Sequence, residues 1–571
     1  MNETGLAGWR TPLLVAVVVV GGLLRLGLAD HHRLVDFDEG RYLDNAVNIM
    51  KGRGLATHYT SHFFRPPAET PPLHPEDISS PLYPWLLAGT FQVTGAELRP
   101  AQLWSLLPGC LMIWLTFELG RRLFDERSAL LASVLVALNP DMAILSSWAM
   151  TESLYGAMLL AILLWHGRRP GRIPAQAAAD VSWILRWGVL GVACGLLYLV
   201  RANGLGVAAA FGLVALLASG EAGALLCTGR LARAAVFAIC CAACVTPWLA
   251  RNQRLFGSPT YTAMKNVAWS ESGKDLFDRR AAPPSLQSFR QQRGNLALAK
   301  NLARRAGRAA GYLLWGDTGG FNLVCLLYPI ALVLTWRVPS LRAGHLCVLM
   351  STLLLIGVPV WTGALSRYLL PLRPWIYLTV IGAAAQVVPA LVWRFRMRGG
   401  RGAGDGSEVP LSTEPVRRLT LAMAATLVAL IGWGAVSPLR EFIARDEVSD
   451  DRLAREASSW IAGHTAEGAV LMEGARIHQY AYLFDRAVVW TPSGGLDELL
   501  RAARDYHAEY LVVSAELIRF RPELAAYFAL ADGEVHGVNL PTGFEEVFAG
   551  AGRRVVIWKL PPTSSTPVEA A

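Results

Sequence analysis

Residues 11–54 read TPLLVAVVVVGGLLRLGLADHHRLVDFDEGRYLDNAVNIMKGRG, in which an apolar run is followed at once by a group of acids. The apolar run, residues 11–29, is close to the ~20 residues that a helix needs to cross a bilayer. It is longer than the apolar region of a typical signal peptide, so we interpret it as a retained first helix. Asp36, Asp38 and Glu39 then follow the end of that helix.

The composition of the whole chain is that of a polytopic membrane protein. Its 571 residues are 53% hydrophobic and only 17% charged, which is too apolar for a set of soluble domains. Apolar runs recur up to about residue 437, and all eight cysteines lie in or beside them, so no disulfide framework is predicted. The net charge of +9 lies mostly in short loops, where it reports membrane orientation rather than nucleic-acid binding.

The basic loops predict how the helices are oriented. Short loops rich in Lys and Arg should face the cytoplasm, and eleven spans place them there together. The predicted spans are 10–29, 101–118, 128–148, 151–166, 183–200, 203–219, 232–249, 319–336, 343–361, 370–392 and 419–437. This scheme leaves 30–100 and 250–318 outside. The predicted fold is therefore α-helical and polytopic, with a membrane domain over 1–437 and an extracytoplasmic α/β domain over 438–571.

The polar tail carries the pattern of that small α/β domain. Helices are predicted at 451–468 and 495–507, and strands at AVLMEG, AVVWT, AEYLVVS and RRVVIWKL. His478 and Asp485 are interpreted as isolated residues, so no complete catalytic site is predicted there. We expect the tail to cover the active cavity or to meet the acceptor.

The acids after the first span allow two interpretations. Apolar residues at helical spacing between 39 and 50 predict a short amphipathic helix on the membrane surface. Asp38 is suited to cap its first turn by accepting hydrogen bonds from free backbone amides. Asp38 is equally suited to be a general base, because a hydroxyl that attacks a sugar C1 must give its proton to a nearby acceptor.

Arginines recur where predicted spans reach the same side as these acids. Arg201, Arg251 and Arg367 each lie at an outer helix junction, where a guanidinium group can grip a phosphate or simply extend to the membrane surface. If the leaving group is a polyprenyl phosphate, it needs such cations rather than a general acid. Glu152, near the outer end of an apolar span, is either a capping residue or a functional acid.

Five segments resemble, in order, those of the GT-C membrane glycosyltransferases. The resemblance is strongest to the bacterial relatives of the protein O-mannosyltransferases and to the lipid A aminoarabinose transferase. The segments are DEGRY (38–42), SPLYPWLLA (80–88), TES (151–153), TPWLARNQRLFGSP (246–259) and RYLLPLRPW (367–375). Each is weak alone, and their order makes the match more specific. The resemblance covers about 10–392, and Ser79 and Ser80 replace a basic residue that often precedes the second segment.

The resemblance implies roles for nine residues. Asp38 would be the catalytic base, and Glu39 and Glu152 would shape the acceptor or sugar site. Six residues would bind the lipid phosphate and the rest of the substrate: Tyr42, Tyr83, Arg201, Arg251, Arg367 and Tyr368. The implied partners are a polyprenyl-phosphate-sugar donor, a lipid, glycan or protein acceptor and membrane lipids, with no nucleic acid.

A metal site is the alternative interpretation of the first outer loop. Asp36 and Asp38 form an Asp-x-Asp pattern, and five histidines share the loop: His31, His32, His58, His62 and His74. Their spacing follows no recognisable zinc pattern, and a polyprenyl monophosphate needs no metal clamp. We therefore expect no required cofactor, with a divalent ion held by Asp36 and Asp38 as the alternative.

The predicted function is an inverting glycosyltransferase, adding a hexose or pentose from a polyprenyl-phosphate donor to an acceptor hydroxyl. The predicted location is the outer face of the inner membrane. A membrane lipid or glycan transporter or flippase is the alternative, which predicts paired broken helices and charges spread through the spans. A structural membrane protein would make the acids and arginines incidental.

Overall fold

The computed structural model is mainly helical over the residues that it describes. These residues are 3–33, 37–60, 62–64, 73–167, 181–217, 228–267, 269, 277–279, 283–314, 323–357, 365–387, 422, 426, 434, 436–444 and 447–562. Asp36 lies outside them, as does most of the predicted span 419–437. The chain forms two compact units. Unit 1 is Met1–Asp30, Gln102–Pro259 and Ala299–Ala444, and unit 2 is His31–Ala101, Thr260–Leu298 and Arg445–Ala571.

The helices follow one another along most of the chain. In chain order they are α1 (Glu3–His31), α2 (Phe37–Met50), α3 (Leu82–Thr94), α4 (Leu98–Leu123), α5 (Glu126–Leu138), α6 (Pro140–Ser147), α7 (Thr151–Gly167), α8 (Val181–Val200), α9 (Gly204–Leu217), α10 (Thr228–Phe256), α11 (Met264–Val267), α12 (Leu286–Leu314), α13 (Leu323–Leu326), α14 (Tyr328–Thr335), α15 (Pro339–Gly357), α16 (Leu365–Leu369), α17 (Arg373–Gly382), α18 (Glu447–His464), α19 (Ile477–Phe484), α20 (Gly495–Asp505) and α21 (Ala515–Phe520).

Several helices of unit 1 are long and apolar enough to cross a membrane. Within the described ranges there are five, or six if the bent pair α5 and α6 counts as one span. The five are Thr11–His31, Leu98–Leu123, Trp183–Val200, Gly229–Phe256 and Pro339–Ile356. Each coincides with a predicted span, and α7 and α9 occupy two more. The polytopic, helical class is therefore confirmed, while the count of eleven stays a prediction.

The predicted span at 128–148 is bent rather than straight, because the chain breaks at Asn139. α5 and α6 meet there at an angle of 56°. Pro140 is the first residue of α6, and a residue before proline is disfavoured from helical geometry. Asn139 instead caps α6, its side-chain oxygen accepting from the Met142 amide at 2.9 Å, and its Nδ2 donates to the Tyr377 hydroxyl at 3.0 Å.

The predicted span at 370–392 is also irregular in its described part. One 3₁₀ turn, Leu370–Leu372, separates α16 from α17, and a π-helical turn, Ala383–Val387, follows α17. Pro371 lies at the start of the 3₁₀ turn and Pro374 at the start of α17. Proline is tolerated at the start of a helix, where its missing amide proton is not needed. This irregular path carries the RYLLPLRPW segment.

The core of unit 2 is a mixed sheet formed by the tail. The strands of the chain are β1 (Ala56–Thr57), β2 (His74–Pro75), β3 (Val470–Glu473), β4 (Ala487–Trp490), β5 (Ala508–Ser514), β6 (Phe528–Ala531), β7 (Glu534–Gly537), β8 (Glu545–Ala549) and β9 (Val555–Lys559). The tail sheet has the order β4-β3-β5-β9-β8, with β4, β3 and β5 parallel and β9 and β8 antiparallel. The four predicted strands and both predicted helices are confirmed.

The first loop of the chain extends this sheet. The Val488 amide of β4 donates to the His58 carbonyl at 2.7 Å, and the Thr60 amide donates to the Val488 carbonyl at 3.0 Å. Tyr59 and Phe277 lie in the same hydrophobic core as the tail residues. The Phe277 and Trp490 rings are 4.6 Å apart. Segments far apart in sequence therefore fold together with the tail.

Candidate active site

Asp38 and Glu39 lie in the first turn of α2. Their negative charges interact favourably there with the positive end of the helix dipole. The predicted short helix is confirmed, and its location on the outer membrane surface stays a prediction. Residues 39–49 are all buried within unit 2. The polar side chains of α2 therefore face protein partners rather than solvent.

Asp38 is the partly exposed acid of the pair. Its Oδ1 lies 3.5 Å from Nη1 of Arg41, one helical turn later, and its side chain is 19% exposed. Glu39 is fully buried, and its Oε2 lies 2.8 Å from Nε2 of His32. The two acids therefore have different settings: Asp38 is accessible and charge-balanced, whereas Glu39 is engaged by a buried imidazole.

Arg41, which sequence reasoning missed, connects α2 to the rest of unit 2. Its Nε donates to the Tyr59 hydroxyl at 2.9 Å, and its Nη2 lies 3.3 Å from Nε2 of His478. Burial opposes a charge on Arg41, but Tyr59, Asp38 and other neighbours outweigh it and raise the Arg41 pKa above its ordinary value. His478 is therefore not isolated, which corrects the interpretation from sequence.

Asp485 is not isolated either. It follows α19 in the left-handed conformation and forms ion pairs with Lys51 and Arg53, which follow α2. The Arg53 Nη1 to Asp485 Oδ1 distance is 3.2 Å. Burial raises the Asp485 pKa, but hydrogen bonding and charge from Lys51, and charge from Arg53, lower it overall.

The histidines of the first loop pair with separate partners. His58 Nδ1 lies 3.0 Å from Asp44 Oδ1, and His62 Nε2 lies 3.3 Å from Asp77 Oδ2. His74 Nε2 lies 3.1 Å from the Thr57 hydroxyl. Over the described ranges no group of three or more His, Cys, Asp or Glu side chains could hold a metal ion. Asp36 lies outside those ranges.

Tyr42 and Tyr83, two of the predicted substrate-binding residues, pack against each other in unit 2. Their ring centroids are 5.2 Å apart in an edge-to-face arrangement. Both side chains are buried. Nearby in sequence, the carboxylate of Glu76 accepts from Asn45 Nδ2 and from the Ile78 amide, each at 2.8 Å. Burial raises the Glu76 pKa, and the charge of Arg41 lowers it in part.

Three predicted site residues meet in unit 1. Glu152 Oε1 lies 2.6 Å from Arg201 Nη1, and their side chains are 2% and 8% exposed. Arg201 also donates to the Thr151 hydroxyl at 2.8 Å, and its guanidinium carbon lies 4.1 Å from the Tyr368 ring centroid. The TES segment, the Arg201 junction and the RYLLPLRPW segment thus form one buried cluster.

Arg251 and Arg367 have different surroundings. Arg251 stacks on two rings of its own helix, with its guanidinium carbon 4.8 Å from the Trp248 ring and 5.4 Å from the Phe256 ring. Arg367 is partly buried in α16, immediately before Tyr368. Their proposed contacts with a phosphate stay predictions.

Two further buried arginines of unit 1 were missed as site candidates. Arg373, within RYLLPLRPW, donates from Nη1 to Asp141 Oδ2 at 2.6 Å. Arg25 of α1 donates to the carbonyls of Val136 and Ala137, each at 3.0 Å. The break before Pro140 leaves the last carbonyls of α5 without helical partners, and Arg25 satisfies two of them. The sequence did contain a signal for both arginines, because a charged residue inside an apolar segment is a candidate functional residue.

Comparison with known proteins supports the resemblance drawn from the sequence. A model of the dolichyl-phosphate-mannose-protein mannosyltransferase family matches residues 74–249. No curated protein matches the sequence. The matched range contains the TES segment and the Arg201 junction and ends within the TPWLARNQRLFGSP segment.

The fold of this chain is similar to that of two solved transferase structures. ArnT from Cupriavidus metallidurans, bound to undecaprenyl phosphate, has a TM-score of 0.53 and 15% identity, covering 98% of this chain and 99% of its own. The archaeal oligosaccharyltransferase AglB from Archaeoglobus fulgidus, in complex with an inhibitory peptide and a dolichol-phosphate, has a TM-score of 0.53 and 13% identity. That alignment covers 94% of this chain and 75% of AglB. The predicted resemblance to GT-C membrane proteins is confirmed.

Proposed function

We propose that this protein is an inverting glycosyltransferase that moves one sugar from a polyprenyl-phosphate donor to an acceptor hydroxyl. The acceptor is a lipid, a glycan or a protein, and the proposed location is the outer face of the inner membrane. The observation that carries the proposal is the buried cluster of Glu152, Arg201 and Tyr368. It lies in a fold shared with ArnT, whose structure contains undecaprenyl phosphate.

In the proposed reaction the acceptor oxygen attacks C1 of the sugar. A new C1–O bond forms as the bond from C1 to the phosphate oxygen breaks, so a single displacement inverts the configuration. The hydroxyl proton passes to a base, and the polyprenyl phosphate departs with the bonding electrons. The protein therefore has to supply a proton acceptor and positive charge for the phosphate.

Arg201 and Arg367 are the proposed phosphate ligands. The ion pair with Glu152 and the stack on Tyr368 hold the Arg201 guanidinium in a fixed, charged form within a buried setting. A guanidinium group presents its donors in a plane that matches two phosphate oxygens. Arg367 precedes Tyr368 in the same short helix, so both would be positioned by α16.

Asp38 is the proposed base. It is the accessible acid of the DEGRY segment, and the Arg41 charge lies 3.5 Å from its carboxylate. Glu39 is proposed to support the acceptor site, because His32 already holds its carboxylate. Glu152 shapes the phosphate site through Arg201. No metal ion is required in this scheme, because the arginines balance the phosphate charge.

Single-turnover transfer in proteoliposomes tests the proposal. The full chain is reconstituted with a panel of polyprenyl-phosphate sugars, and donor binding is measured by native mass spectrometry. Asp38→Asn cannot accept a proton at neutral pH, so its transfer rate should fall by about two to four orders of magnitude while donor binding persists. Arg367→Ala should show weaker donor binding together with slower transfer.

Glu467 provides a matched control, because it is exposed and Glu467→Gln also removes one carboxylate. It should transfer at the wild-type rate. A stable Asp38→Asn protein with near-wild-type transfer would remove Asp38 as the base. Donor movement across the bilayer without any transfer to an acceptor would favour the flippase alternative.

A further inference from the structure

α2 and the tail helix α19 approach each other at backbone distance. A Cβ atom on Gly40 would lie 2.7 Å from the carbonyl carbon of His478 and 2.8 Å from its carbonyl oxygen. No side chain fits in that gap, so glycine is required for this approach. The residues on either side of Gly40, Glu39 and Arg41, are therefore held at fixed positions relative to α19.

His478 lies at this contact as a neutral hydrogen-bond acceptor. Its side chain is 1% exposed. Burial and the neighbouring Arg41 charge lower the His478 pKa well below its ordinary value, and the more modest opposite effect of Asp38 does not offset this. A guanidinium group can only donate, so Nε2 of His478 accepts from Nη2 of Arg41 at 3.3 Å. The ring proton of the neutral imidazole is then on Nδ1.

Tyr59 holds the same guanidinium from a second direction. Its hydroxyl oxygen accepts from Arg41 Nε at 2.9 Å, and its ring centroid lies 4.3 Å from that of His478. Burial raises the Tyr59 pKa well above its ordinary value, so the hydroxyl stays neutral. Arg41 is thus fixed through Nε and Nη2 by two neutral side chains, and its Nη1 is the nitrogen directed to Asp38.

A second contact between α2 and α19 lies at their C-terminal ends. Asp485, directly after that helix, pairs with Lys51 and Arg53, directly after α2. The starts of α2 and α19 meet at Gly40 and His478, and their ends meet at these ion pairs. The tail helix therefore holds the acid-bearing helix along its length.

We propose that His478, on the tail, is a positioning residue for the transfer reaction. It fixes Arg41, and Arg41 in turn fixes the carboxylate of Asp38. This inference rests on the proposed function, in which Asp38 is the base. The tail is then part of the catalytic machinery through α19, rather than a cover that could be removed without effect on the chemical step.

The variant His478→Phe tests this, because it keeps a ring at the contact and removes the acceptor nitrogen. A base displaced by a fraction of an ångström to 1 Å loses much of its effectiveness. The single-turnover transfer rate should fall by about 10- to 100-fold, with donor binding unchanged. His478→Gln places an amide oxygen near the lost Nε2 and should recover most of the rate.

Tyr482 supplies the matched control on the same helix. Its hydroxyl donates to the Ala96 carbonyl at 2.9 Å and therefore also ties α19 to the first loop, through a hydrogen bond that does not involve Arg41. Tyr482→Phe should transfer at the wild-type rate. Slowing by Tyr482→Phe equal to that by His478→Phe would show a general loss of packing and would overturn the proposal.

The double variant Asp38→Asn/His478→Phe separates positioning from structure. If His478 acts through Asp38, the double variant should be no slower than Asp38→Asn alone. A further 10-fold loss would contradict this.

If Asp38→Asn is slow but His478→Phe transfers normally, the proposed function stands and this inference fails. If Asp38→Asn itself transfers normally, the proposed function fails. Should His478→Phe not fold, Tyr59→Phe removes the other acceptor of Arg41 and is held to the same outcomes.

Discussion

Neutralising Glu152 separates the structural role of its ion pair from the proposed phosphate binding by Arg201. Glu152→Gln preserves the size of the side chain and removes the charge opposite Arg201 at 2.6 Å. Leaving one charge of a buried pair without its partner costs about 3–5 kcal/mol. The Tyr368 ring, 4.1 Å from the guanidinium carbon, contacts Arg201 in both proteins, so this contact does not change the difference between them. The free energy of unfolding should therefore fall by about 3–5 kcal/mol.

The assay is a double-mutant cycle with two readouts. Thermal unfolding in detergent and native mass spectrometry with undecaprenyl phosphate are measured for wild type, Glu152→Gln, Arg201→Met and the double variant. The double variant leaves no charge unpaired at this position, so it should be more stable than the sum of the single changes predicts. Phosphate binding should persist in Glu152→Gln, because the cation remains, and should be lost in both proteins that lack Arg201.

Arg304→Met, at an exposed position of α12, controls for the loss of one positive charge. It should bind undecaprenyl phosphate as wild type does. If the stability changes of Glu152→Gln and Arg201→Met simply add in the double variant, the two residues are not energetically coupled, and the role of the ion pair is refuted. Unchanged lipid-phosphate binding by a folded Arg201→Met protein would refute Arg201 as a phosphate ligand.

Two other predictions concern pH and metal. Burial raises the Glu473 pKa from its ordinary 4.5 to about 7, so the folded tail retains a proton that the unfolded chain releases as pH rises through that interval. Relative to Glu473→Gln, the wild type should lose about 3 kcal/mol of stability between pH 4.5 and pH 8, and parallel pH curves from calorimetry would contradict this. Sugar transfer should survive EDTA, because arginines carry the phosphate charge, and loss reversed by Mn²⁺ or Mg²⁺ would make Asp36 and Asp38 metal ligands.

The sequence predicted the regular helices well, because membrane spans depend on the length of apolar runs. The span predicted at 183–200 is observed as Val181–Val200, and that at 232–249 lies within Thr228–Phe256. The bend at Asn139 was not predicted, although the signal was present, because a residue before proline is a probable helix boundary. Mean hydropathy does not detect this break, because the apolar run continues across it.

The candidate site was predictable only in part. Glu152, Arg201 and Tyr368 were selected as separate motifs, and the structure brings them together. Arg41 was passed over and His478 was interpreted as isolated, because their contact joins residues far apart in the chain. The periodicity of one segment does not predict which side chains of a distant segment it will contact. The strand pattern of the tail gave the sheet, but not its pairing with the first loop.

The 437-residue separation between Arg41 and His478 has a consequence for biogenesis. At a synthesis rate of about 5–20 residues per second, α2 emerges roughly 20–90 s before the helix that will cover it. During that interval Arg41, Lys51 and Arg53 lack the partners that His478 and Asp485 of the tail supply. The nascent chain has to be kept from misfolding until its last quarter has been translated. Stop codons placed shortly before α19 should therefore yield chains that are targets for membrane quality-control proteases, even though the membrane helices of unit 1 that the structure describes have all been made.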